Sequence, residues 1–231
     1  MNNLKEYDTI IIGAGAAGLF AAAELGKGNH TTCLIEQNNK PGKKIIISGG
    51  GRCNFTNKNV TFNDFHSKNL HFYKSALKQY TSSDFIELIK KHNIPFYEKK
   101  LGQLFCKGSS KDILNMLNKE INSQYVTTLL NVHIDPDDIS YTNNYFYLNN
   151  KALNIKSKNL IISTGAPPMP AIGGTHTGVN IAKNFGHKNI PFFPALVPLF
   201  MNNTQKYSGL SLPVEIKFNR HHIRDDILFT H

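Results

Sequence analysis

The period of the hydrophobic positions changes several times along the chain, and each change predicts a strand or a helix. Tyr7–Ile12 is a short β-branched run that ends at a glycine cluster, the pattern of a strand buried on both faces. Ala16 to about Leu25 is Ala-rich and helical, and Gly26 and Gly28 stop it. Thr31–Ile35 is a second apolar strand, with Glu36 at its end. Together they form a βαβ unit of about the minimum length. Farther on, Phe85, Leu88 and Ile89 share one face of a helix over 83–92, and Pro95 lies beyond its end. Ile113, Leu117 and Ile121 repeat at helical spacing over 109–121, with Ser109 as the expected N-cap and Asp112 in the first turn. Strand-like stretches at about 126–134, 144–148, 152–155 and 160–163 predict a small β-meander returning to the main sheet. A last helix is expected over 177–185, with Gly186 as its cap.

Two regions break the pattern. Gln37 to Asn57 is long, irregular and rich in Gly and Lys, and a connection of that length is functional or disordered. The apolar run Ile45–Ile47 argues against disorder. Pro191, Pro194 and Pro198 mark a change of character, and the domain boundary is placed between 192 and 193. Beyond it, 212–219 alternates in part, His221-His222 reads as a polar turn, and 226–230 is a short strand. So few residues do not make a domain alone.

Composition narrows the class. The chain has 231 residues, 40% hydrophobic and 18% charged, enough for a sizeable core and unlike a disordered chain. No apolar run approaches the ~18 residues of a membrane span, and residues 1–8 carry no apolar leader, so a cytoplasmic protein is the default. Cys33, Cys53 and Cys106 are odd in number and far apart, which argues against a disulfide framework and a zinc ribbon. The ten histidines show no metal-ligand spacing, so no metal is expected. Net charge is +10. Such a balance fits an anionic partner or a Lys-rich solvated surface. The lysines fall in scattered pairs (Lys43-Lys44, Lys90-Lys91, Lys99-Lys100), not in one stripe. Solvated surface is therefore the preferred reading, and neither nucleic acid nor a membrane is an expected partner.

The chemistry lies in the glycine turns. Gly13-Ala14-Gly15-Ala16-Ala17-Gly18 follows a strand and opens a helix, and an acid stands about 20 residues on at a strand end. Gly13 permits the tight turn, Gly15 the close approach of backbone N–H groups to a pyrophosphate, and Gly18 the packing of helix on sheet. Glu36 accepts hydrogen bonds from a ribose and repels a 2′-phosphate, so FAD or NAD fits better than NADP. The motif does not choose between those two. Gly49-Gly50-Gly51 in the second loop lets amides lie against a flat or anionic ligand. Arg52, one of three arginines, adds a fork-shaped cation. Asn54 adds donors and an acceptor. Lys44 suits a phosphate or open solvent. Cys53 reads as a buried thiol beside the cofactor, because no second Cys stands at CxxC spacing.

These glycine turns, Glu36 and above all the run Pro41-Gly42-Lys43-Lys44-Ile45-Ile46-Ile47-Ser48-Gly49-Gly50-Gly51-Arg52-Cys53-Asn54 resemble the YhiN-like, or aminoacetone-oxidase-like, FAD-dependent oxidoreductases. Gly102–Cys106 and Ser163-Thr164-Gly165 extend the resemblance, which covers essentially the whole chain. It implies an α/β fold: a Rossmann-like FAD-binding domain over 1–192, then the start of an inserted β-rich domain over 193–231. It implies a non-covalent FAD, with reduced nicotinamide as a transient reductant. By position, Gly13 to Gly18, with Ala16 and Ala17, would hold the pyrophosphate, and Glu36 and Gln37 the adenosine ribose. Lys44 and Ser48 to Asn54 would lie along the ribityl and isoalloxazine side. Val126 would offer backbone contacts to adenine, and Thr164 and Gly165 would sit in a second glycine turn. No catalytic residue carries over.

The chain departs from the family at Ala166-Pro167-Pro168, His176 and Val179, which predicts an altered floor to the site. It also ends inside a segment resembling the family's Leu-Phe-Thr-His motif, about halfway through the family's length, so a fragment is expected. Three functions follow: an FAD-dependent oxidoreductase or its N-terminal portion, of unknown substrate; a truncated, inactive remnant; and, last, a flavoprotein that binds RNA.

Overall fold

The centre of the main sheet is built from strands with no polar face. β1 (Lys5–Ile12) and β2 (Thr32–Ile35) pair in parallel, and Ile10, Ile11, Cys33 and Leu34 are fully buried between them and the flanking helices. The computed structural model describes residues 4–167, 173–193 and 199–230. α1 (Ala16–Lys27) connects the two strands and ends at Gly28. The sheet has six strands in the order β6 (Val126–Leu129), β2, β1, β9 (Asn154–Ile162), β8 (Tyr145–Asn149), β7 (Ile139–Thr142). The first four run parallel and the last two form an antiparallel meander. The fold is thus Rossmann-like α/β.

Alternation along β1 and β2 sends side chains to opposite faces. Ile11 and Leu34 pack with Leu19 and Ala22 of α1 and with Ile113, Met116 and Leu117 of α5 (Ser110–Glu120). Ile10, Ile12, Cys33 and Ile35 pack with Leu148 and with Ile181 of α6 (Thr177–Asn184). Two helical layers therefore sandwich the sheet. Ser109 is the N-cap of α5, as expected: its hydroxyl accepts the Lys111 N–H, and Asp112 completes a capping box. Thr81 and Asp84 do the same for α4 (Ser82–Lys91). Gly186, beyond α6, takes φ +79°.

Four expectations need correction. Residues 37–57 are not an irregular loop throughout: they hold α2 (Lys43–Ile47), a 3₁₀ turn over Ser48–Gly51 and β3 (Asn54–Asn57). A five-residue helix is too short for periodicity to announce. The stretches at 152–155 and 160–163 are one strand, β9, because pairing with β1 and β8 carries the polar positions Lys156, Lys158 and Asn159 along with it. The strand begun at Val126 ends at Leu129, not at 134. The polar turn at His221-His222 is instead the start of a strand.

β3 joins β5 (Gln103–Cys106) and β4 (Phe96–Glu98) in a three-stranded antiparallel sheet of order β3-β5-β4. Phe55 packs against both Phe85 and Phe96 beneath it. α3 (Lys74–Gln79) precedes α4.

The first compact unit ends at Asn189 and a second begins at Ile190. The described part of the second unit centres on a hairpin of β10 (Ser211–Phe218) and β11 (His221–Leu228), in register from Ser211↔Leu228 to Phe218↔His221. Asn219, with φ +53°, makes the left-handed turn between them. Leu212, Ile216 and Phe218 share a face with Ile223 and Ile227. Of the prolines that mark the boundary in the sequence, Pro194 and Pro198 lie outside the described residues.

Candidate functional site

Open parallel sheets bind ligands at the carboxyl ends of their strands, and the glycine turns converge there. Gly13, after β1, donates its N–H to the Ile35 carbonyl (2.8 Å). Its φ is +101°, and a Cβ there would stand 2.6 Å from the Ser163 carbonyl oxygen. A Cβ on Gly18 would stand 1.9 Å from the Gly13 carbonyl oxygen, so only glycine lets α1 sit this close to the turn. A Cβ on Gly15 would meet nothing within 4 Å. Gly15 therefore opens onto free space, and the other two glycines are demanded by packing. The Ser163 hydroxyl lies 3.0 Å from the Ile12 carbonyl and 2.7 Å from that of Gly13, which fastens the end of β9 to the turn.

The N-terminus of α1 differs from those of α4 and α5. Its N-cap is Gly15, no side chain caps it, and its first turn holds no acid. The first N–H groups of a helix have no intrahelical partner. Here they are left for a ligand, in an end field that favours an anion.

Glu36 is almost buried, and its carboxylate is already engaged. Oε2 accepts the Ala14 N–H (2.9 Å), and Oε1 accepts the Asn38 N–H (2.9 Å) and side-chain amide (2.6 Å). A carboxylate has roughly four acceptor directions. Glu36 thus first shapes the glycine turn, and keeps about one direction for a hydroxyl.

The second loop is drawn to the first. Gly42 donates its N–H to the Ala14 carbonyl (2.8 Å) at φ +68°. Gly49, Gly50 and Gly51 follow one another in the left-handed region. The Cys53 N–H then closes back on the Ser48 carbonyl (3.0 Å). Burial pushes the Cys53 thiol up from its ordinary pKa, and the contact with Ser48 offsets this in part. Lys44 Nζ donates to the Ala166 carbonyl (3.0 Å), beside Gly165 at φ +77°.

Between these loops lies a cavity of about 720 Å³. Gly13, Gly15, Ala16, Ala17, Glu36, Gln37, Lys44, Ser48, Cys53, Asn54, Thr164 and Gly165 all line it. Gly18, Gly49, Gly50, Gly51 and Arg52 do not: Gly18 serves packing, Gly49 lies against the Phe105 ring, and Gly50, Gly51 and Arg52 face outward around the loop. Val126 is a correction. It is buried at the start of β6 against Gly26, far along the strand from the cavity. On this side of the cavity the lining is Val132 and Ile134, and Val132 donates its N–H to the Glu36 carbonyl (3.0 Å). The alternation Val132-His133-Ile134 was the available signal. Ser163 was also missed as a lining residue, although it opens the Ser-Thr-Gly run.

Residues 7–205 match the family model of the HI0933-like protein Rossmann domain. The chain belongs to this family. It is the YhiN-like family of flavoenzymes that the glycine runs indicated. Within it, the chain is 38% identical over 237 residues to a ribosomal RNA dihydrouridine synthase of Escherichia coli, covering 99% of this chain and 58% of that protein. It is 41% identical over 236 residues to the Haemophilus influenzae protein of the same name, covering 99% and 59%. A 3-dehydro-bile acid delta(4,6)-reductase of Clostridium scindens is 27% identical over 192 residues, covering 82% and 46%. The chain thus spans about three fifths of the length of the first two relatives.

The residues present fit the FAD that an HI0933-like Rossmann domain implies. The uncapped helix end beside the open space at Gly15 suits a pyrophosphate. Glu36 suits a ribose hydroxyl, and Val132 and Ile134 an apolar ring. The cavity volume falls in the usual range of ligand sites, ~300–1,000 Å³. Among the described residues, no group of three His, Cys, Asp or Glu could hold a metal ion, and no helix is long and apolar enough to cross a membrane.

Proposed function

We propose that this chain is the flavin-binding part of an FAD-dependent reductase that saturates the C5–C6 double bond of uridine in ribosomal RNA, with reduced nicotinamide as electron source. The observation that carries the reading is the cradle itself: an uncapped helix end, a free space at Gly15 and an acid at the strand end, in a chain whose 38% and 41% identical relatives are named ribosomal RNA dihydrouridine synthases. The scattered lysines alone rank RNA below other partners; the relatives reverse that order and give the +10 charge a use. Bound FAD supplies hydride chemistry, and the protein supplies position and electrostatics. The α1 N-terminus and Lys44 hold phosphate charge, Glu36 orients the ribose, and Ser48, Cys53 and Asn54 border the ring side. Cys53, whose thiol burial pushes up from its ordinary pKa, presents an S–H on that side.

The test begins with the purified 231-residue chain: its visible spectrum and the nucleotide released on denaturation. Stoichiometric FAD, bleached anaerobically by NADH or NADPH, is the expected result. Unmodified ribosomal RNA then gains two hydrogens per target uridine by mass spectrometry. A chain that holds FAD but leaves uridine unchanged, alone or joined to the remainder of a full-length relative, overturns the substrate. A chain that binds no FAD overturns the cradle.

A further inference from the structure

We infer that the outer face of the β3-β5-β4 sheet is a stacking platform for single-stranded RNA, delivering a nucleotide to the flavin cavity beside it. This rests on the RNA reading above and adds a surface that the glycine motifs do not reveal.

Residues directly opposite on paired strands share a face. Tyr97 stands opposite Phe105, and Phe105 opposite Asn54, a cavity-lining residue. The inner side of the same strands carries Phe96, Leu104 and Cys106, which are turned to the core. The outer face thus carries one aromatic pair, Tyr97 and Phe105, among the polar Asn54, Asn57 and Gln103. Tyr97 and Phe105 are stacked, with ring centroids 5.9 Å apart and planes 25° from parallel. Tyr97 is the half-exposed member of the stack and Phe105 lies buried under the loop.

Cations ring this stack. Lys99 Nζ lies over the Phe105 ring at 5.6 Å, and Arg52 Nη1 lies 3.4 Å from the Tyr97 hydroxyl. Lys107 continues the alternation, its N–H bonded to the Pro95 carbonyl (2.8 Å). The strands' own acid, Glu98, falls on the other side and is paired with Lys58. A half-exposed aromatic stack bordered by cations that have no acidic partner among the described residues complements a chain of bases and phosphates. It offers little to duplex RNA, whose bases are not free to stack.

The platform is continuous with the site. A Cβ on Gly49 would stand 2.9 Å from Phe105 Cε1, so the glycine loop rests on the Phe105 ring. That contact gives Gly49 a reason to be glycine that owes nothing to the cofactor. It also explains why Arg52 faces outward rather than into the cavity.

The test is binding of a fluorescein-labelled single-stranded oligouridylate to the FAD-loaded chain, followed by anisotropy across a salt series. Tyr97→Ala should weaken binding about tenfold, and Tyr97→Phe should restore it, because stacking and not the hydroxyl is used. Lys99→Ala should weaken it and reduce the salt slope by about 0.7. Lys151→Ala, in the turn between β8 and β9, is the control and should change nothing. FAD content and melting temperature of each variant report folding. If the parent chain binds no RNA, the RNA reading falls and the platform with it. If the parent binds and Tyr97→Ala binds as tightly, the platform is overturned and the RNA reading stands. Equal losses at Lys99 and Lys151, or equal affinity for duplex RNA, also overturn it, leaving diffuse charge as the cause.

Discussion

Two glycines of one motif make opposite predictions. Gly18→Ala forces a carbon to within 1.9 Å of a carbonyl oxygen, so it should lower the melting temperature and abolish FAD binding together. Gly15→Val puts its branches into open space, so it should leave the melting temperature of the flavin-free chain nearly unchanged while FAD binding is lost. A thermal melt with and without FAD separates the two. The buried thiols give a pH prediction. Burial raises Cys33 to about 11 and Cys106 to about 12, from an ordinary 9.0. Unfolded thiols ionise first as pH rises, so stability is whole below pH 9 and falls between 9 and 11, by up to about 1.4 kcal/mol per pH unit for each thiol. Urea unfolding of Cys33→Ala should show a shallower alkaline loss than the parent. At this scale the sequence suggests a role but not the contacts: Glu36 reads as a candidate ribose acceptor, whereas its bonds to Ala14 and Asn38 depend on how two distant turns meet.

Helices and strands were legible where a pattern ran for two turns or more. α1, α4 and α5 show their faces, caps and stops in the residues themselves. β9 and the short α2 do not, because their conformation is imposed by neighbours rather than by local preference. β4 and β5 were missed for the same reason: strands of three and four residues exist here only by pairing, β4 with β5 and β5 with β3. One residue joins three of the helices. Glu120, ending α5, receives Lys27 of α1, Lys91 of α4 and His92 just after α4. Burial opposes its charge, but the hydrogen bonds from Lys91, His92 and Lys27 prevail and hold the carboxyl at about 2, below its ordinary 4.5. A depressed carboxylate stabilises the fold above its ordinary pKa, and the gain is lost as pH falls toward 2. Glu120→Gln should therefore cost about 2 kcal/mol at pH 7, and much less at pH 3, by urea unfolding.

For the whole molecule, the βαβ pattern and the glycine runs led to the fold class and the family, whereas net charge left the partner open. Charge counts do not say where cations gather, and the ring around Tyr97 and Phe105 forms only when residues 52, 97, 99 and 105 are folded together. The second unit is legible as two strands but not as a core: its hairpin leaves Phe218, Ile223 and Leu228 exposed, and an isolated pair of strands is at best marginally stable in water. The main sheet carries a further consequence, in time. The Gly13 turn leaves the ribosome before the Ser163 hydroxyl that secures it, which follows 150 residues later. At roughly 5–20 residues per second, the nucleotide cradle waits about 8–30 s for its second half. During that interval β1 has β2 on one side and an open edge on the other, where β9 will insert. Synthesis speed and chaperone capture across this window therefore bear on how much folded protein a cell obtains, and a pause before residue 154 would be paid for in aggregates.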